Sequence, residues 1–86
     1  MVFMDWEHLR YFAAVGQHGS LSAAARVLQV EHSTVARRIQ ALEKSLGQAL
    51  FTREAGGLRP SEAGRALLPA VEAMAQAARG IERSVD

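Results

Sequence analysis

Cysteine is absent from the 86 residues. That excludes disulfides, thiolate zinc sites and thiol nucleophiles, and it gives no reason to expect an oxidising compartment, so a cytoplasmic location is expected. Long apolar runs are missing as well, since no stretch approaches the ~18–20 residues of a membrane span, and no membrane partner is expected. The opening Met-Val-Phe-Met-Asp-Trp-Glu meets charge at Asp5, without a basic segment followed by an apolar one, so it does not read as a signal peptide. Charge of one sign is scarce: ten Lys and Arg against nine Asp and Glu leave a formal net charge of +1. Composition alone therefore does not announce a polyanionic partner. His8, His18 and His32 are too scattered for a helical metal pair, whose ligands sit about three or four residues apart. No serine, histidine and carboxylate set is recognisable. The expectation is a chain with no enzymatic activity, no metal and no cofactor.

What is present is ordinary for a folded domain. Apolar residues make up 49% and charged residues 22% of the chain, and this length supports one modest, mainly helical core. A first helix is predicted from an Asp5 cap to His18, ending at Gly19, with Leu9, Phe12, Ala13 and Gly16 as its buried stripe. Ser20 and Ser22 compete as caps for a second helix reaching about Leu28, where Ala23, Ala24 and Ala25 form a narrow face for close packing. After the connector Gln29-Val30-Glu31, a third helix runs from about His32 to Leu46 and closes at Gly47. Val35, Ile39, Leu42 and Leu46 mark its inner side. His32, Ser33, Ala36, Arg37 and Gln40 mark its outer side, with Lys44 further along. Glu31 reads as a structural residue that caps or orients this helix.

Two short extended pieces follow, from Gln48 to Arg53 and from Leu58 to Pro60, around the turn Glu54-Ala-Gly-Gly57; they predict a hairpin that must lean on the helices. Ser61 caps a fourth helix toward Val85, roughly 36 Å long at about 1.5 Å per residue. Gly64 reads as a point of close backbone approach. Leu67, Val71, Met74, Ala78, Ile81 and Val85 alternate at spacings of four and three, the pattern of a coiled-coil seam. Pro69 interrupts the hydrogen-bond ladder, and the reading favours a kinked continuous helix over a break near Leu68. The expected organisation is a domain over 1–60 and a dimerising linker helix over 61–86.

Two helices crossing over a three-residue connector, with Val30 filling the turn, are what a helix-turn-helix requires, and the outward side of the second can enter a major groove. At these residues the chain resembles the N-terminal domain of LysR-type transcriptional regulators. The resemblance runs through Leu9-Arg-Tyr-Phe, Gly19-Ser-Leu-Ser-Ala-Ala-Ala-Arg-Val-Leu, Val35-Ala-Arg-Arg-Ile-Gln-Ala-Leu-Glu-Lys-Ser-Leu-Gly, Leu50-Phe-Thr-Arg and Ser61-Glu-Ala-Gly. It covers nearly the whole chain. It implies a winged helix-turn-helix with a dimerising linker helix, ahead of a longer effector-binding domain that this sequence does not include; an excised fragment or a short relative is expected.

Carried over by position, the resemblance puts His32, Ser33, Thr34, Ala36 and Arg37 at or near the groove and Arg53 in the wing. Ala36 stands where the family often has serine, and His32 where it often has glutamine. Arg37 suits a bidentate contact to guanine. Arg38 lies about 100° further around the helix and reads as a phosphate contact or plain surface. Arg53 suits a phosphate or the minor groove, and Arg59 is a further candidate. Trp6 and Tyr11 read as core or dimer contacts. Between residues 31 and 65, Arg37, Arg38, Lys44, Arg53, Arg59 and Arg65 stand against Glu31, Glu43, Glu54 and Glu62, a mild local excess of positive charge. The expected partners are a second copy of the chain and a partly palindromic double-stranded DNA, at the nucleoid. The rival reading is a winged-helix interaction module that no longer binds DNA, supported by the low net charge.

Overall fold

Residues 5–85 are described by a computed structural model. The opening residues 1–4, over which the reading against a signal peptide partly falls, lie outside the described residues, as does residue 86. Helix α1 spans Trp6–His18; the Asp5 carboxylate accepts the Glu7 N–H at 2.9 Å, and Gly19 ends the helix at φ 81. Helix α2 spans Leu21–Leu28, and of the two candidate serines it is Ser20 that caps it, accepting the Ala23 N–H at 3.0 Å. Ser22 remains exposed. Gln29 ends α2 in the left-handed region at φ 59, the one non-glycine there among the described residues.

Helix α3 spans His32–Leu46 and closes at Gly47. Glu31 occupies its cap position, but the carboxylate makes no capping bond. Its main-chain carbonyl accepts the Thr34 and Val35 N–H groups instead, so Glu31 heads the helix through its backbone and not through its carboxylate. Val35, Ile39 and Leu42 are buried as the spacing required, and Leu46 packs at the edge of the core. With Phe12, Val15, Ala24 and Leu50 they fill the space between the first three helices. Each large side chain buried there stabilises the fold by about 1.5–3 kcal/mol before the cost of ordering it. The small Ala24 and Ala25 let α2 approach closely, while Ala23 is half-buried.

The hairpin pairs β1 (Phe51–Glu54) with β2 (Gly57–Pro60) in antiparallel register, Arg53 opposite Leu58, across a turn at Ala55 and Gly56. The first strand starts at Phe51, later than the expected Gln48. Leu50 explains the difference. Its side chain is in the core, its N–H donates to the Glu43 carboxylate at 2.8 Å, and its carbonyl accepts the Ser61 N–H at 2.9 Å. These bonds hold the segment against α3 and the head of the last helix. At the other end, the Leu58 N–H donates to the Gly19 carbonyl at 3.0 Å. A side chain at Gly57 would collide with that same carbonyl, so glycine is what permits the wing to dock on the α1–α2 turn.

Helix α4 runs unbroken over Glu62–Val85 with Pro69 inside it, so no break occurs near Leu68. It lies along α1: Leu68 covers Gly16, Leu67 packs on the core, and Val71 is itself buried. This divides the expected seam. Leu67 and Val71 cover the core of their own chain, whereas Met74, Ile81 and Val85 are 44%, 66% and 79% exposed, with Ala78 half-buried between them. The reason is proximity to α1, which the spacing of apolar residues along one helix cannot register.

Candidate nucleic-acid interface

Helix α3 is held by its buried side and leaves the opposite side free. His32, Ser33, Arg37, Gln40 and Lys44 are exposed there, with Thr34 and Ala36 half-exposed at its margins. The Thr34 hydroxyl accepts from Arg37 at 3.4 Å, one turn back along the helix. Arg37 has no carboxylate within ion-pair distance among the described residues. A guanidinium in that condition keeps its planar fork of donors for an external acceptor.

The wing supplies the second wall. Arg53 is exposed on β1 and shares one concavity with His32, Ser20 and Ser22, and a neighbouring one with Ala36 and Gln40. His32, Ala36 and Arg53, separated by up to 21 positions in the chain, therefore border one continuous trough between α3 and the hairpin. The docking of Gly57 and Leu58 on Gly19 fixes its width. Arg59, opposite Thr52 on β2, pairs with Glu54 at 3.3 Å while three-quarters exposed. Such a solvated pair is weak and can exchange its carboxylate for another anion.

Arg38 is different. It is half-buried, and its guanidinium lies 5.5 Å from the centre of the Tyr11 ring, away from the trough. Of the eight candidate residues, then, His32, Ser33, Thr34, Ala36 and Arg37 lie along α3's outward side, of which His32 and Ala36 border the trough with Arg53 of the wing; Arg59 is also on the wing, and Arg38 is on another flank. Gln40 and Lys44 belong with the site by exposure; the steps 33, 37, 40 and 44 along the helix already carried that signal. Ser22, exposed beside Arg53 and His32, carried none, because only the fold brings the start of α2 to the wing. Trp6 packs partly on the core and Tyr11 is buried in it. Among the described residues no group of three His, Asp or Glu side chains could hold a metal ion, and no helix is long and apolar enough to cross a membrane.

An exposed helix beside a docked hairpin, on a three-helix core, is a winged helix-turn-helix. Residues 6–65 match the family model described as bacterial regulatory helix-turn-helix protein, lysR family. The Mau operon transcriptional activator of Paracoccus denitrificans is 47% identical over 78 residues, which cover 91% of this chain and 28% of that protein. The regulator TfdS of Cupriavidus pinatubonensis is 40% identical over 94% of this chain and 28% of its own length. This chain thus spans little more than a quarter of these relatives. Among solved structures, the CbnR DNA-binding domain in complex with DNA superposes with a TM-score of 0.81 at 36% identity, covering 94% of each chain. The BenM DNA-binding domain bound to benA site 1 DNA gives 0.83 at 27% identity, covering 95% of this chain and 92% of that one.

Proposed function

The chain belongs to the LysR family of bacterial regulatory helix-turn-helix proteins, and we propose that it is the DNA-reading part of a transcription regulator that binds duplex DNA as a homodimer. One observation carries the reading. A single helix has Val35, Ile39 and Leu42 locked in the core while Ser33, Arg37, Gln40 and Lys44 project from its other side, next to a wing that carries Arg53. A major groove admits one helix, and Arg37 matches the O6 and N7 acceptors of guanine. His32, Ser33 and Thr34, at the leading end of α3, contact base edges or the nearest phosphates, and Ala36 gives close approach without a polar group. Arg53, and Arg59 once released from Glu54, contact phosphates or the minor groove beside the wing. The CbnR and BenM domains that this fold matches were solved with DNA, which supports the same use here.

Dimerisation rests on the exposed part of α4, where Met74, Ala78, Ile81 and Val85 lie one or two turns apart. A two-fold pair presents two reading helices, so the target is a partly palindromic pair of half-sites in the cytoplasm, at the nucleoid. The activity is binding without catalysis. A salt titration on an arbitrary duplex checks the core of this reading. Affinity is expected to fall linearly on a log–log plot as salt rises, because phosphate contacts release counterions. Binding indifferent to salt, or none, contradicts it and favours a protein partner.

A further inference from the structure

Tyr11 and Arg38 form an arrangement that core packing does not explain. The Tyr11 ring is buried, with only 5% of the residue exposed, and two guanidiniums lie over it: Arg10 at 5.6 Å and Arg38 at 5.5 Å. Two cations gathered on one ring repel each other unless an anion offsets them. Arg10 has one, since its Nε lies 3.4 Å from the Glu7 carboxylate. Arg38 has none within ion-pair distance among the described residues, although it is half-buried. Its donors therefore retain capacity for an acceptor from outside the chain.

Helix geometry shows where that acceptor would lie. Ala36 and Gln40 face the wing, and Arg38, two residues beyond Ala36, is turned about 200° from it around α3 at 100° per residue. Arg38 is thus on the flank of the reading helix opposite the hairpin, with the groove-facing Arg37 between the two. A helix in a major groove lies between two phosphate backbones, one on either side. The wing meets one of them.

We propose that Arg38 grips the other, binding a backbone phosphate with a guanidinium that the Tyr11 ring holds in place, so that Tyr11 is a positioning residue for DNA binding. The inference rests on the DNA-binding reading above. A cation–π contact with a fixed ring restricts the four-bond arginine stem before DNA arrives, which lowers the entropy lost on contact. Arg10, paired with the Glu7 carboxylate, lies over the same ring with its charge offset, so it opposes Arg38 less than a free cation would. Because a phosphate contact carries no sequence information, this pair sets affinity and register, and not base choice.

The test measures binding of the whole chain to an operator-like duplex and to an arbitrary duplex over a range of salt concentrations. Arg38→Gln is expected to weaken both by the same factor and to lower the salt slope by about 0.9 for each copy of the chain bound. Tyr11→Phe keeps the ring and is expected to bind as the parent does. Tyr11→Leu, compared only if circular dichroism shows it folded, is expected to mimic Arg38→Gln and to add nothing to it in the double variant. An unchanged salt slope in Arg38→Gln, while the parent still binds with a steep slope, overturns the inference and leaves the DNA-binding reading standing. A loss from Tyr11→Leu that is as large in the Arg38→Gln background as in the parent overturns the positioning role. If the parent itself shows no salt-dependent binding, both readings fall together.

Discussion

Gly64 lies in the first turn of α4, where the helix passes the carbonyl of Leu50 so closely that a Cβ would sit on the oxygen. That oxygen already accepts the Ser61 N–H, so it has little room to retreat. Alanine would ordinarily favour a helix by about 1 kcal/mol over glycine, but here the collision outweighs the gain. Gly64→Ala is expected to destabilise the chain by about 1–3 kcal/mol in urea or thermal denaturation. An unchanged or raised midpoint contradicts the close approach. The demand for glycine at this place was legible in the sequence, although the Leu50 carbonyl that imposes it was not. Arg37 was likewise legible as an exposed donor from its position opposite Val35 and Ile39. Arg38 was only half legible, because the ring that holds it comes from α1, and spacing along α3 says nothing about Tyr11.

Most of the elements could be placed from their ends. Asp5, Gly19 and Gly47 terminate helices by chemistry local to a few residues, and the structure puts them where capping requires. Ser20 and Ser22 could not be separated beforehand, since both offer a hydroxyl and only the course of the chain after Gly19 decides which one meets the Ala23 N–H. The late start of β1 was hidden for a similar reason: the Glu43 carboxylate that holds Leu50 is seven residues away and on another element. Ser61 does two jobs at the next junction. Its hydroxyl accepts the Gly64 N–H at 3.1 Å and donates to the Ala49 carbonyl at 2.7 Å, joining the start of α4 to the segment before the wing. Ser61→Ala is expected to cost about 1–2 kcal/mol, while Ser61→Thr keeps most of the stability. Equal denaturation midpoints for alanine and parent rule out this double role.

At the scale of the molecule, α4 carries one apolar surface buried in the core of its own chain and another left exposed. Val71 belongs to the buried core, so Val71→Glu is expected to prevent folding, whereas Met74 is 44% exposed and Met74→Glu is expected to leave the fold intact and to separate the proposed dimer. Sedimentation equilibrium with a circular dichroism control distinguishes them; folded Met74→Glu that remains dimeric removes α4 from the interface. The periodic stripe suggested one seam, and its division follows from Leu67 and Val71 packing on the core while Met74, Ile81 and Val85 stay exposed. What joins these scales is the claim that the outward side of α3 reads base edges. Selecting bound duplexes from a random pool, in parallel for the parent and for Arg37→Ala, addresses it directly. The parent is expected to enrich a partly palindromic pair of half-sites, and the variant to lose preference at one base pair in each half-site, with about 1–3 kcal/mol less specific affinity. Identical base preferences in the two pools, with binding weakened equally on every sequence, would contradict it.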